Sequence, residues 1–188
     1  MIKFFFRLNN FLIILFISNN TMAYEESPFK TVYQNNIYQI RYYVDRLVVQ
    51  SDYSSQNRSF RMLFNYISGE NKNSEKVAMT IPVTVSKKNS KKVMQFYLPS
   101  KFTINTAPIP INPNVDLVNI EEGYYAVIKF SGRVKDKNFD EHAEILKKKL
   151  LKDEIEILST SIDAIYNGPF TLPIFRRNEV MFKVDWKN

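Results

Sequence analysis

Glu75-Lys76-Val77-Ala78-Met79-Thr80-Ile81-Pro82-Val83-Thr84-Val85 is the stretch whose reading decides the fold. Val77, Met79, Ile81, Val83 and Val85 alternate with Ala78, Thr80, Pro82 and Thr84. That period of two predicts a half-buried strand. Pro82 has no amide proton to give a neighbour, which places the strand at a sheet edge or beside a bulge. Residues 87–92 form a polar, basic turn, and residues 93–98 return as a second strand of a hairpin. Just upstream, Phe60, Leu63, Phe64 and Ile67 recur at i, i+3, i+4 and i+7, the stripe of an amphipathic helix. Capping residues at 54–57 open this helix and Ser68-Gly69 closes it. Before it, residues 37–44 are β-rich, with Tyr38, Tyr42 and Tyr43.

The same order recurs downstream. Pro108, Pro110 and Pro113 make residues 107–114 an extended linker. Strands are predicted at 115–120 and 124–130, joined at Glu122-Gly123. A helix over 136–152 presents Phe139, Ala143, Leu146 and Leu150 on one face, with acidic residues leading and lysines following. Residues 162–166 and 180–186 close this part as strands. Two halves, about 24–106 and 112–188, thus repeat strand, helix and hairpin. The fold class is α+β: a pseudo-symmetric duplicated unit with two helices packed on a curved antiparallel sheet.

Composition limits the chemistry. The chain has 188 residues, 45% of them hydrophobic, enough for one domain with a core of its own. There is no cysteine, so disulfides, thiolate metal sites and a cysteine nucleophile are excluded. The single histidine, His142, makes a conventional zinc centre or a Ser-His-Asp triad a poor fit. Lys3 and Arg7, the apolar run 11–17 and Thr21-Met22-Ala23 form a signal-peptide pattern. Residues 1–23 are expected to be cleaved, leaving a single domain over 24–188 that is secreted or periplasmic and of bacterial origin. Loss of Lys3 and Arg7 lowers the net charge from +7 to about +5. That charge suits acidic ligands or anionic surfaces, and no nucleic-acid module accompanies it.

Five motifs in order carry a resemblance. They are Phe60-Arg61-Met62-Leu63-Phe64-Asn65-Tyr66-Ile67-Ser68-Gly69, Glu75 through Val83, Met94-Gln95-Phe96-Tyr97-Leu98-Pro99-Ser100, Tyr125-Ala126-Val127-Ile128-Lys129-Phe130-Ser131-Gly132, and Tyr166-Asn167-Gly168-Pro169-Phe170 with Pro173 through Met181. Together they resemble the SOUL/haem-binding protein family. The resemblance implies closure of the sheet into a distorted β-barrel, and binding of haem or another porphyrin.

A porphyrin needs apolar walls, cations for its propionates and, for iron, an axial ligand. The resemblance implies a shallow groove against the first helix. Met62 and Tyr66 are candidate walls there, with Arg61 as a carboxylate partner. In the segment 167–178, Phe170, Leu172, Ile174 and Phe175 precede Arg176 and Arg177, so Phe170, Phe175 and Arg176 are further ligand-binding candidates. The alternative for this segment is packing over the end of the barrel, with an arginine paired to Glu179. His142 is the only imidazole available as an axial ligand, but the N-terminal strand region that holds the family's best-known haem-ligating histidine has none here. Met79 and Met94 read as core filler. No acid/base pair stands out: Glu121-Glu122 sits at a turn, and Asp140, Glu141 and Glu144 lie on a solvated helix face.

The expectation is therefore a monomeric, exported, non-enzymatic tetrapyrrole carrier or buffer with an apolar groove and basic rim, and no membrane span after signal cleavage. The alternative is an interaction protein that keeps the fold, binds no haem and meets a protein partner.

Overall fold

A computed structural model describes residues 24–53, 55–88 and 91–187. The leader read in residues 1–23 lies outside them, as does the centre of the basic tip at 87–92. Twelve strands and two α-helices follow in order: β1 Glu25–Glu26, β2 Lys30–Gln34, β3 Gln39–Tyr43, β4 Arg46–Asp52, α1 Gln56–Ile67, β5 Thr80–Ile81, β6 Val83–Lys88, β7 Lys91–Tyr97, β8 Asp116–Ile120, β9 Gly123–Phe130, α2 Asp136–Lys152, β10 Glu156–Ile157, β11 Ile162–Ile165 and β12 Asn178–Asp185.

Ten of these strands form one sheet, ordered β2-β3-β9-β12-β11-β6-β7-β4-β8 with β10 on β12. Its centre is the antiparallel β11–β6 pair. On either side lie β12 and β7, then β9 and β4, then β3 and β8. Strand–helix–hairpin is thus repeated about a pseudo-twofold axis at that central pair, as the two-half reading expects. Each half borrows its edge strand from the other. β3 precedes α1 in sequence but pairs with β9, and β8 follows the linker but pairs with β4. β8 and β9 are therefore neighbours in sequence, joined through Glu121-Glu122, yet sit in opposite wings. The sheet curls strongly enough for the wings to meet. Asp45 accepts the Glu122 amide at 2.8 Å, and the Tyr42 hydroxyl donates to Glu122. Gly123 opens β9 at φ +157°, where a Cβ would lie 2.7 Å from the Lys183 side chain. A side chain here would be strained by that φ and would push the flexible end of Lys183 aside.

The result is a half-barrel with both helices on its convex side. α1 and one wing enclose Leu63, Ile67, Val83, Val85, Met94 and Phe96. α2 and the other wing enclose Ile40, Ala126, Phe139, Leu146, Leu150 and Val180. Strand alternation sends a third set inward, to the concave side: Tyr43, Tyr125, Val127, Ala164, Tyr166 and Met181.

Two expectations change on contact with this architecture. Pro82 is not at a sheet edge. It falls between β5 and β6, and β6 lies at the centre of the sheet. The missing amide proton interrupts the strand there, freeing β5 to pair in parallel with β1. The alternation also breaks at this point: Ile81 packs on the concave cluster while Val83 and Val85 pack under α1. The helix stripe is rotated as well. α1 buries Ser59, Leu63, Tyr66 and Ile67, leaving Phe60 and Phe64 partly exposed and stacked at 6.0 Å. The small Ser59 gives its hydroxyl to the Asp52 carbonyl at 2.9 Å, which draws the helix onto β4.

Candidate functional site

The concave face is where polar chemistry is concentrated. Arg41 of β3, Glu179 of β12 and Tyr166, just past β11, all point into it. Arg41 donates two hydrogen bonds to the Glu179 carboxylate, at 2.8 and 3.1 Å. The Tyr166 hydroxyl donates to the same carboxylate at 2.7 Å, and Arg177 Nε donates at 2.9 Å. Burial alone would raise the Glu179 pKa, but the Arg41 bonds and charge, with Tyr166 and Arg177, hold it below the ordinary value. Glu179 is therefore an ionised carboxylate at neutral pH. Burial and the adjacent Glu179 push the Tyr166 phenol far upward, so it stays protonated.

Arg46, at the start of β4, is different. It is only 8% exposed, and among the described residues no carboxylate pairs with it. Its guanidinium lies 4.1 Å from the Tyr43 ring centre, 5.0 Å from Tyr125 and 5.2 Å from Tyr97. Cation–π attraction of about 0.5–2 kcal/mol per ring supports it there. Its Nε nevertheless has no hydrogen-bond partner. Gln95, equally buried, donates to Gln50 at 3.1 Å.

Residues 25–29 cross the mouth of this face. Glu26 takes two hydrogen bonds from Arg177, at 2.9 and 2.8 Å. Phe29 packs on Tyr43 at 5.4 Å and under the Arg41 guanidinium at 4.3 Å.

The residues singled out from the sequence lie elsewhere. Arg61 is exposed on α1, and Met62 is half-buried against the core beneath it. Tyr66 is not a groove wall: it is 1% exposed, and its hydroxyl donates to the Pro108 carbonyl at 2.8 Å. Burial raises its pKa to about 12. Its polar tip finds a partner inside, so the whole ring can be buried.

The loop 167–177 does not pack its apolar side chains over the barrel end. Phe170 is 99% exposed, and Ile174, Phe175 and Leu172 are 72%, 70% and 61% exposed. The arginine pairing with Glu179 does occur, through Arg177. Arg176 turns back on the loop, donating to the carbonyls of Thr171 at 2.9 Å and Pro169 at 2.6 Å. It shapes the apolar ridge rather than standing free beside it.

His142 lies on the convex side. Its ring stacks on Phe130 at 3.8 Å, and Nδ1 donates to the Asn138 carbonyl at 2.7 Å. No hydrogen bond, ion pair or ring contact joins α1, the loop and His142 among the described residues. No group of three His, Cys, Asp or Glu residues that could hold a bare metal ion occurs among them either. A crevice of about 120 Å³ beside the start of α2 is lined by Lys92, Asp136, Asp140 and Asp163. Ligand pockets usually measure roughly 300–1,000 Å³, so it is too small and too acidic for a tetrapyrrole.

These features define a class: an α+β half-barrel with an arginine- and tyrosine-lined concave face and an apolar loop at one end. Solved structures share the fold. A hydrolase from Listeria innocua aligns over 82% of this chain and 94% of its own, with a TM-score of 0.57 at 9% identity. The C-terminal domain of EcmrR aligns over 82% of this chain and 98% of its own, with a TM-score of 0.56 at 13% identity. EcmrR in a DNA complex gives a TM-score of 0.59 at 13% identity, over 79% of this chain and 58% of that one. At such identities the likeness concerns the fold alone. No curated protein matches the sequence.

The family model described as SOUL heme-binding protein matches residues 24–183. The chain belongs to that family, which supports a general role in binding haem or a tetrapyrrole. Among the described residues no helix is long and apolar enough to cross a membrane.

Proposed function

We propose that the protein is an exported, non-enzymatic carrier or buffer for haem or a related porphyrin. The observation that carries this reading is the apolar ridge Phe170, Leu172, Ile174 and Phe175, exposed on a chain of the SOUL family. Monomeric soluble proteins seldom expose contiguous apolar surface without a use for it. A flat, greasy macrocycle with acidic arms matches such a ridge on a chain whose net charge stays positive, about +5, without Lys3 and Arg7. Arg61 on α1 is exposed and available to a propionate. Export rests on the sequence pattern of residues 1–23.

Titration with hemin and with metal-free protoporphyrin, followed by absorbance and by quenching of Trp186 and tyrosine fluorescence, tests the reading. Saturable one-to-one binding of both is expected. Absence of saturable binding by either refutes it and favours the second reading, in which the same ridge docks a partner protein. Cell fractionation and mass spectrometry test export, with a mature N-terminus at Tyr24 as the expected result.

A further inference from the structure

We propose that the mouth of the concave face is a binding site for the carboxylate of a flat, apolar ligand, with Arg46 and Arg177 as anion seats and residues 25–29 as their displaceable cover. For a porphyrin, whose propionate would supply the carboxylate, the inference rests on the tetrapyrrole reading. The site itself stands on geometry.

The first argument is charge balance. Arg41 and Arg177 are matched by Glu179 and Glu26. Arg46 shares the same face, is buried to 8% exposure, and has no carboxylate among the described residues. Its Nε–H is unpartnered. A buried guanidinium that is hydrogen-bonded to Tyr125 and flanked by tyrosine rings, but keeps an unpartnered Nε–H and no carboxylate, is a seat that an incoming carboxylate would complete. The three rings around it, Tyr43, Tyr97 and Tyr125, supply apolar walls.

The second argument is what covers the mouth. Segment 25–29 presents a carboxylate, Glu26, to Arg177 and an aromatic ring, Phe29, to Tyr43 and Arg41. A carboxylate attached to a flat apolar body is the same chemistry that a ligand would bring. The chain's own segment thus fills the seat at Arg177. Beyond these contacts and a 2.7 Å hydrogen bond from the Ser100 amide to Glu25, its backbone pairing is short: β1 is two residues long and pairs with the two-residue β5. The Glu26–Arg177 pair is also partly open to water, with side chains 29% and 27% exposed. Tyr43 links the cover to the Arg46 seat, packing on Phe29 and lying under the Arg46 guanidinium.

The test uses 1-pyrenebutyrate, a flat hydrocarbon with one carboxylate, and its neutral methyl ester. The acid should bind at least about tenfold tighter than the ester, the effect of one charge-assisted hydrogen-bonded pair. Glu26→Gln should tighten the acid roughly threefold or more by releasing Arg177. Arg46→Met should erase the preference for acid over ester. Circular dichroism checks that both variants are folded. The Nε–H resonances of Arg46 and Arg177 in the unsubstituted protein give a readout that needs no variant, and both should shift as the acid is added. Equal affinity for acid and ester, or resonances that stay put, overturns the inference. Protoporphyrin and its dimethyl ester are then compared in the same way. If pyrenebutyrate behaves as expected and neither porphyrin binds, the carboxylate site stands and the tetrapyrrole reading falls. If porphyrins bind with no distinction between acid and ester, the reverse holds.

Discussion

Arg41→Met removes two buried hydrogen bonds to Glu179, at 2.8 and 3.1 Å, in a pair whose side chains are 5% and 0% exposed. Breaking one side of a buried ion pair costs about 3–5 kcal/mol. Glu179 would keep the Tyr166 hydroxyl at 2.7 Å and Arg177 at 2.9 Å, so the loss should fall near the lower bound, at ~3 kcal/mol. In a domain of this size that lowers Tm by about 6–12 °C. Urea unfolding, followed by Trp186 fluorescence and circular dichroism, measures it. The double variant Arg41→Met/Glu179→Leu removes both charges, and apolar replacements are often tolerated where a lone charge is not. It should recover much of the loss. Acid unfolding supplies a second readout. The Glu179 pKa lies below its usual 4.5 when folded. Its contribution to stability is therefore complete above pH 4.5 and is lost as pH falls through the lower folded value, because the unfolded chain takes up the proton first. Without Arg41 the folded pKa rises, so acid unfolding should begin at higher pH. A loss under ~1 kcal/mol, with an unmoved acid limb, would refute the assignment of this pair as the electrostatic centre of the concave face.

Three further outcomes are expected. Phe170→Ser with Phe175→Ser should weaken porphyrin binding about tenfold or more while shifting stability by roughly 0.5 kcal/mol or less, since both side chains are exposed; equilibrium titration and thermal melts measure the two effects separately. His142→Ala should leave the haem absorption band in place and cost about 1 kcal/mol through loss of the Phe130 stack and the Asn138 bond, whereas disappearance of the band would assign His142 to iron. Tyr66→Phe should destabilise by about 1 kcal/mol through the lost Pro108 bond, with no change in ligand affinity; altered affinity would return Tyr66 to the site.

α2 was legible from sequence to its ends, because Phe139, Leu146 and Leu150 carry an unbroken helical period against a charged face. The β6–β7 hairpin was legible in part: the returning strand was placed, but the alternation read from Val77 is interrupted at Pro82, and Lys87, Lys88, Lys91 and Lys92 of the expected turn are paired strand. β4 was not. All but the last of its residues are buried, Arg46 and Gln50 among them, so neither face carries the polar pattern that marks a half-exposed strand. The stripe of α1 was read about one position off, because Ser59 and Tyr66 look like surface residues until their hydroxyls find carbonyls inside. At the candidate site, the apolar loop and the Arg177–Glu179 pairing could be seen in the sequence. Arg41 and Arg46 could not, because lone arginines in strands normally face water. The signal that was available is their position beside Tyr42, Tyr43 and Val48-Val49 in β-rich chain.

The sequence by itself determined the element types, the internal repeat, the family and the poverty of metal and nucleophile chemistry. All of these rest on local spacing and composition. Only the tertiary structure decided which strands trade wings, which face of the sheet lies inside, and that a buried arginine is left without a carboxylate. Those outcomes depend on the curl of a ten-stranded sheet, which brings together residues as distant in sequence as Glu26, Arg41 and Arg177.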